Sequence, residues 1–298
     1  MAWRYERIQN QTADTLAAWL SQDEGAYCYA MIDVQRSSAE QIKAVDKHLW
    51  GTAINLYRDI EGTAISAMGP RLVQLYREEI PHIAQLALTS RSVSFLLGKC
   101  DFATLSAHLQ AIREVEIPNQ TAVLFRYHDI QVTAALFPSL SPKEIGPCVG
   151  PLTHWAVLDA CNRLHVISST GEQRKGGALR FDQKTLEMLE DRLFMHAAMA
   201  QINDADSLLL ASYSECEAQT LIRQRIETAK SFGLEQREDL ALYCVLSLQF
   251  PPSFEQEAPF AEAIGYRKKN KPSFGAVLDE VSPDVWRQWD ERMKDKER

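Results

Sequence analysis

Residues 121–137 read TAVLFRYHDIQVTAALF, and the six residues LFRYHD, Leu124–Asp129, mark a change of pattern within them. An apolar, strand-like run precedes Asp129, and a helix-like run follows it. We therefore predict a strand over Thr121–His128 that runs into a helix. Asp129 would cap this helix, because its carboxylate can accept backbone N–H hydrogen bonds at a helix start.

The polar residues of this stretch allow two interpretations. On a strand, Arg126 and His128 would share one face, with Asp129 just beyond the strand end. In a structural interpretation, Arg126 pairs with Asp129, and the cluster holds the strand end and the helix start together. In a catalytic interpretation, Arg126, Asp129 and Asp33 form the site of a small-molecule hydrolase, since α/β proteins place ligands at strand ends.

Strand-like and helix-like segments alternate on both sides of this stretch. Asp101 can cap a helix predicted over Asp101–Val115. The further predicted strands are Ala26–Asp33, Ser92–Leu97, Leu152–Leu158 and Leu164–Ser168. Such alternation favours an α/β layer around a mixed sheet.

The second part of the chain has helical patterns alone. Asp182 can cap its first helix, and Ser214 with Glu217 forms a capping box before the next. A nearly all-apolar helix is predicted over Glu235–Phe250, and a last one begins at Ser282. We predict an α/β fold class with two lobes: a mixed α/β lobe over residues 1–168, a polar, glycine-containing linker over 169–179, and an all-helical lobe over 180–298.

Composition limits the classes of partner. The chain has 298 residues, a net charge of −8 and a pI near 5.5. This acidity argues against nucleic acid and anionic membranes as partners. The N-terminus has no apolar signal region, and the apolar run Leu240–Leu248 is too short to cross a bilayer. We expect a cytoplasmic protein that contacts neither nucleic acid nor membrane.

Catalytic and cofactor motifs are missing from the sequence. It has no G-x-S-x-G, H-E-x-x-H or C-x-x-C, and its seven histidines do not occur at zinc-ligand spacing. The glycine-rich piece GEQRKGGALR lacks the spacing of a phosphate-binding loop. We expect no enzyme activity, no cofactor and no metal.

Four segments, in order, carry a resemblance to a known family. They are YAMID, ending at Asp33; WGTAINLY with AISAMGPRLVQL, centred on Gly69 and Pro70; SVSFLLGKCDFATLSAHLQAIREV; and LFRYHDIQVTAALFPSL. Together, over about Ala26–Leu140, they resemble the adaptor, or effector-chaperone, family of bacterial type VI secretion, whose N-terminal domain is catalogued as of unknown function. The family usually has proline after the aspartate, whereas Ile130 follows Asp129 here.

The resemblance implies a protein without catalysis. Such adaptors bind a secreted toxic effector in the producing cell and help to load it on the VgrG spike. In this interpretation Asp33, Pro70, Arg126 and Asp129 are structural motif residues. Arg126, His128 and Asp129 would also line a partner surface.

The last predicted helix offers a second candidate surface. Trp286, Trp289 and Met293 share one of its faces. Exposed aromatic residues at this spacing can anchor a partner. The alternative is that the same face packs within its own lobe.

Overall fold

An antiparallel sheet organises the first part of the chain. The computed structural model describes residues 3–23, 25–38, 47–60, 63–120, 122–169, 178–270 and 273–296. The strands of the large sheet are β1 (Trp3–Ile8), β2 (Tyr27–Ile32), β3 (Ile54–Asn55), β4 (Arg71–Leu75), β5 (Val93–Gly98), β8 (Leu152–Leu158) and β9 (Leu164–Ser169). Their order is β1-β9-β8-β5-β2-β4-β3. Two further short strands, β6 (Glu114–Val115) and β7 (Val123–Leu124), pair separately.

Every pairing between these strands is antiparallel. The expectation of a mixed sheet is therefore wrong, although the α/β fold class followed by a helical part is confirmed. The reason is that alternating strands and helices do not fix strand direction. Strands β8 and β9 form a tight hairpin in which Asn162 takes a left-handed backbone conformation, φ 56°, which asparagine tolerates.

Both faces of the central strands of the large sheet are buried, whereas the edge strands β1 and β3 stay partly exposed. In β2, Tyr29 and Met31 belong to one apolar cluster, and Ala30 and Ile32 to another on the opposite face. Helices of the first part supply the covering side chains. They are α1 (Ala13–Leu20), α2 (Lys47–Thr52), α4 (Ile80–Ser90), α5 (Phe102–Ala111), α6 (Ile130–Leu136) and α7 (Pro142–Val149), whereas the short α3 (Thr63–Ala67) lies in the connection before β4.

The stretch around residue 125 is a turn, and the predicted strand over Thr121–His128 is mostly wrong. Thr121 lies outside the described residues, and only Val123–Leu124 pairs as a strand. After Phe125 the backbone N–H groups bond locally: Tyr127 N–H donates to the Phe125 carbonyl (2.9 Å), and Asp129 N–H donates to the Arg126 carbonyl (3.0 Å). These local bonds replace a ladder and turn the chain toward α6.

The second part of the chain is helical. The helices are α8 (Gln183–Ala205), α9 (Glu215–Ser231), α10 (Arg237–Gln249), α11 (Phe260–Asn270), α12 (Phe274–Asp279) and α13 (Pro283–Lys296). The capping box of Ser214 and Glu217 is confirmed at the start of α9. The chain divides into two compact units, Met1–Leu193 and Phe194–Arg298. Strand β9 ends at Ser169, and residues 170–177 of the predicted linker lie outside the described residues.

A charged network fixes the β8–β9 hairpin. Asp159 accepts hydrogen bonds from the Arg163 Nε (2.6 Å) and the His165 Nε2 (2.9 Å), and His165 Nδ1 bonds the Tyr5 hydroxyl (2.9 Å). Burial alone would raise the pKa of Asp159, but the hydrogen bonds from His165 and the Arg163 backbone lower that pKa to about 2. The ionised carboxylate thereby ties the hairpin turn to β1.

A buried carboxylate joins α7 to the start of α8. Glu144 accepts hydrogen bonds from Ser141 N–H (2.7 Å), the Ser141 hydroxyl (2.5 Å), the Thr185 hydroxyl (2.8 Å) and Asp182 N–H (2.8 Å). Asp182 in turn caps α8 by accepting from Thr185 N–H (2.8 Å). Two helix starts separated by some forty residues of chain therefore share one carboxylate.

Replacing Glu144 with alanine is expected to lower the free energy of unfolding by about 3 kcal/mol, because the buried Thr185 hydroxyl and two backbone N–H groups lose their shared acceptor. Chemical denaturation of the purified variant measures this loss. Glu187→Ala, at an exposed position of α8 where the carboxylate accepts from Gln183 (3.0 Å), is the control, with an expected change below about 0.5 kcal/mol. Equal effects of the two substitutions would contradict the role of Glu144.

Candidate functional site

The site is built around Tyr57, which follows β3. Asn55 shapes the turn there, since its side chain accepts from Tyr57 N–H (3.0 Å) and donates to the Ser66 carbonyl (2.7 Å). A Cβ on Gly69 would lie only 2.6 Å from the Cβ of Tyr57. Glycine is required at this position because the turn before β4 presses directly on the tyrosine.

Pro70 is buried beside this contact. Its carbonyl accepts from Leu56 N–H (3.1 Å), which extends the pairing of β3 with β4 by one residue. Proline has no backbone N–H to donate. At this position, just before β4 begins, no hydrogen bond of the strand is lost because of it. The Gly69–Pro70 segment therefore sets the position of the Leu56–Tyr57 backbone.

Tyr57 reaches across to the turn after β7. Its hydroxyl bonds His128 Nδ1 (3.2 Å) and the Phe125 carbonyl (3.4 Å), and the two rings stand edge to face with centroids 5.4 Å apart. The two bonds are compatible when Nδ1 carries the proton and donates to the hydroxyl. Both side chains are buried. This pair joins segments that are 71 residues apart in sequence.

Asp33 lies at the end of β2, fully buried. Its N–H extends the ladder by donating to the Ser92 carbonyl (2.8 Å), and one carboxylate oxygen accepts from Gln35 N–H (3.0 Å). The second oxygen, Oδ2, has no hydrogen-bond partner among the residues that the structure describes. A buried carboxylate oxygen without a partner is costly.

The charges of the motif residues act on Tyr57 and His128. Burial raises the pKa of Tyr57 to about 12. The positive charge of Arg126 acts to lower this pKa, and the negative charge of Asp33 acts to raise it. Burial lowers the pKa of His128, while Asp33 acts in the opposite direction. Both shifts favour the neutral side chains at neutral pH. The structure therefore brings Asp33, Arg126, His128 and Asp129 into one electrostatic neighbourhood.

Asp129 caps α6, as predicted. Its carboxylate accepts from Gln131 N–H (3.0 Å), and the residue has the extended backbone of an N-cap. Ile130, in the place where the family usually has proline, is buried in the core. The predicted ion pair is long, with Arg126 Nη2 at 3.9 Å from Asp129 Oδ2. Arg126 keeps 53% of its side chain exposed.

Arg113 supports the site from outside, and sequence reasoning missed it. Its guanidinium forms a two-pronged pair with the Asp59 carboxylate, one bond of which measures 2.9 Å. Its carbonyl accepts from Phe125 N–H (2.7 Å). Arg113 thus links the loop that carries Tyr57 to the β6–β7 hairpin. Tyr57 was missed too, although it ends the segment WGTAINLY that carries part of the resemblance.

The arrangement separates buried from accessible residues. Asp33, Pro70 and His128 are buried, so a partner cannot reach them without a rearrangement. Arg126 and its neighbour Leu124, which is 43% exposed, are accessible. Of the predicted partner residues in this turn, Arg126 therefore has the exposure that a contact requires.

The two tryptophans of α13 pack within the helical unit. Trp289 is 4% exposed and stands edge to face on Phe250, with centroids 4.4 Å apart. Trp286 packs on Phe260, with centroids 5.4 Å apart. These contacts correspond to the alternative that the helix packs within its own lobe. The side chain of Met293 lies outside the described residues.

In the part of the chain that the structure describes, no group of three or more His, Cys, Asp or Glu side chains is placed to hold a metal ion. None of the helices described is both long and apolar enough to cross a membrane.

Replacing Asp129 with alanine should destabilise the protein by about 1 kcal/mol, because the first turn of α6 loses its cap. Replacing Arg126 with alanine should cost less than this, since an exposed pair at 3.9 Å contributes between about 0 and 1 kcal/mol. Denaturant titration of both variants gives the comparison. A larger loss for the arginine variant would contradict the described geometry.

His128 should make stability depend on pH. Its pKa is lower in the folded protein than the ordinary value of 6.5, so the unfolded chain binds more protons just below that pH. Its contribution to stability is complete above pH 6.5 and is lost as the pH falls below it. Melting temperatures across this range should fall less steeply for His128→Gln than for the unaltered protein.

His82→Gln, a change at an exposed histidine of α4, is the control and should leave the pH profile unchanged. Parallel profiles for His128→Gln and the unaltered protein would show that His128 titrates alike in the folded and unfolded chain.

A protein-family model matches the part of the chain that builds this site. Residues 28–146 match the model of a family described as a domain of unknown function, DUF4123. The match covers less than half of the chain, and it contains Asp33, Tyr57, Pro70 and the Arg126–Asp129 turn. Comparisons with curated proteins and with solved structures give no match. The first unit of this chain thus carries a region similar to the DUF4123 domain.

Proposed function

We propose that this protein is a cytoplasmic adaptor of type VI secretion, which binds a toxic effector and helps to load it on the VgrG spike. The observation that carries the proposal is the match of residues 28–146 to DUF4123. It covers nearly the same stretch in which four sequence segments resemble the type VI adaptors. The protein acts by binding and performs no catalysis.

The structure of the motif residues supports a binding role. Asp129 is used as a helix cap, and His128 is used in the contact with Tyr57. A hydrolase would need reactive groups within hydrogen-bond reach of a substrate. Asp33, the proposed catalytic carboxylate of that alternative, is fully buried. The side chains of Asp129 and His128 therefore have structural roles that explain their presence in the turn.

The accessible edge of the turn is the partner surface in this proposal. Leu124 offers an exposed apolar side chain, and Arg126 offers a guanidinium whose one described ion pair is long. Arginine is enriched among the residues that contribute most to the energy of protein interfaces. The guanidinium would pair with a carboxylate of the effector.

Co-expression with the toxin encoded beside a spike gene tests the proposal. We expect a complex that survives size-exclusion chromatography in low and in moderately high salt, because apolar contacts rather than rim charges hold it. Deletion of the adaptor should abolish secretion of that toxin. Absence of a complex, with secretion unaffected by the deletion, would overturn the assignment.

A matched pair of arginine variants tests the surface. Arg126→Ala should weaken the complex about tenfold, whereas Arg4→Ala should not. Arg4 is a suitable control because it is 73% exposed and its ion pair with Glu6 is similarly long, 3.6 Å. A complex unaffected by Arg126→Ala would remove this residue from the interface and leave the adaptor function standing.

A further inference from the structure

The loop between α8 and α9, Asp206–Ser214, displays the most exposed large apolar side chain of the described residues. Leu208 is 77% exposed, and Tyr213 in the same loop is 43% exposed. The neighbouring Leu209 and Leu210 are half-buried against the core of the helical unit. The loop is thus held by two leucines and presents the third to solvent.

Hydrogen bonds give this loop a defined shape. Asp206 accepts from Leu208 N–H through its carboxylate (2.9 Å) and from Leu209 N–H through its carbonyl (3.2 Å). Two further turns follow, in which Ala211 N–H donates to the Leu208 carbonyl (3.2 Å) and Tyr213 N–H to the Leu210 carbonyl (3.1 Å). A preordered loop loses little conformational entropy on binding.

The sequence on both sides of the loop is acidic. The thirty residues between Arg192 and Arg223 contain neither lysine nor arginine. They contain four acids, which are Asp204, Asp206, Glu215 and Glu217. All four lie within nine residues of Leu208: Asp204 at the end of α8, Asp206 in the loop itself, and Glu215 and Glu217 at the start of α9. An exposed apolar side chain in an acidic, lysine- and arginine-free stretch of sequence is complementary to an apolar pocket with a basic rim.

We propose that the Asp206–Ser214 loop docks the effector, with Leu208 entering an apolar pocket whose rim carries lysine and arginine side chains. This proposal rests on the adaptor function proposed above and adds the surface of the helical unit and the chemistry of its partner. A symmetric contact between the loops of two copies does not fit, because it would bring the same four acids against each other.

The test measures affinity between the purified full-length protein and the effector encoded beside a spike gene. Leu208→Ser should weaken binding about tenfold or more. Ile65→Ser, which changes an exposed apolar residue of the other unit, should change affinity less than about twofold. Unchanged melting temperatures of both variants ensure that the comparison reports on the surface.

A second pair of variants tests the charge. Asp204→Lys should slow association and reduce its dependence on salt, because rim charges steer the encounter. Glu235→Lys, which makes the same change at an exposed position between α9 and α10, should leave the association rate unchanged. Light scattering of the effector-free protein should show a monomer whose mass Leu208→Ser does not alter.

Three results would count against the loop. Full affinity of both Leu208→Ser and Asp204→Lys would overturn the docking proposal while the adaptor function stands. A dimer that Leu208→Ser dissociates would assign the loop to self-association instead. No binding of the unaltered protein to the effector would overturn the adaptor function and the docking proposal together.

Discussion

The contact between Tyr57 and His128 is the interaction on which the candidate site depends. It joins the loop after β3 to the turn after β7, and each side is fixed by its own backbone constraints. On one side, Gly69 leaves room for Tyr57 because a Cβ at this position would clash with the tyrosine side chain. On the other, the bond from Tyr127 N–H to the Phe125 carbonyl turns the chain so that the histidine points inward. Without this contact the exposed edge at Leu124 and Arg126 would lack a rigid support.

Local features of the fold could be predicted from the sequence, because their causes lie within a few residues. The caps formed by Asp101, Asp129, Asp182 and Ser214 are all confirmed. Each depends on a side chain and an N–H two or three residues later. The buried strand β2 could also be predicted, because its apolar run is continuous.

Features that depend on distant residues could not be predicted. The Phe125–His128 segment has strand-like composition, but its backbone bonds locally, and nothing in its own residues distinguishes the two outcomes. His128 was placed on a face with Arg126 by strand alternation, whereas the turn buries one and exposes the other. Tyr57 entered the site only through contacts made 68 and 71 residues further along the chain. Antiparallel pairing likewise follows from how segments meet, which periodicity does not encode.

The hydrogen bonds of Glu144 bear on where the first domain can be cut for expression on its own. Composition suggests a boundary in the polar stretch near residue 170, but the segment after it completes the domain. Leu179 and Phe181 lie in the core of the first unit, and Thr185 with the backbone of Asp182 satisfies the buried carboxylate. A fragment ending at residue 168 would open that core and leave a buried negative charge short of donors. An N-terminal fragment keeps these contacts if it includes the first turn of α8, which lies past the point where the sheet ends.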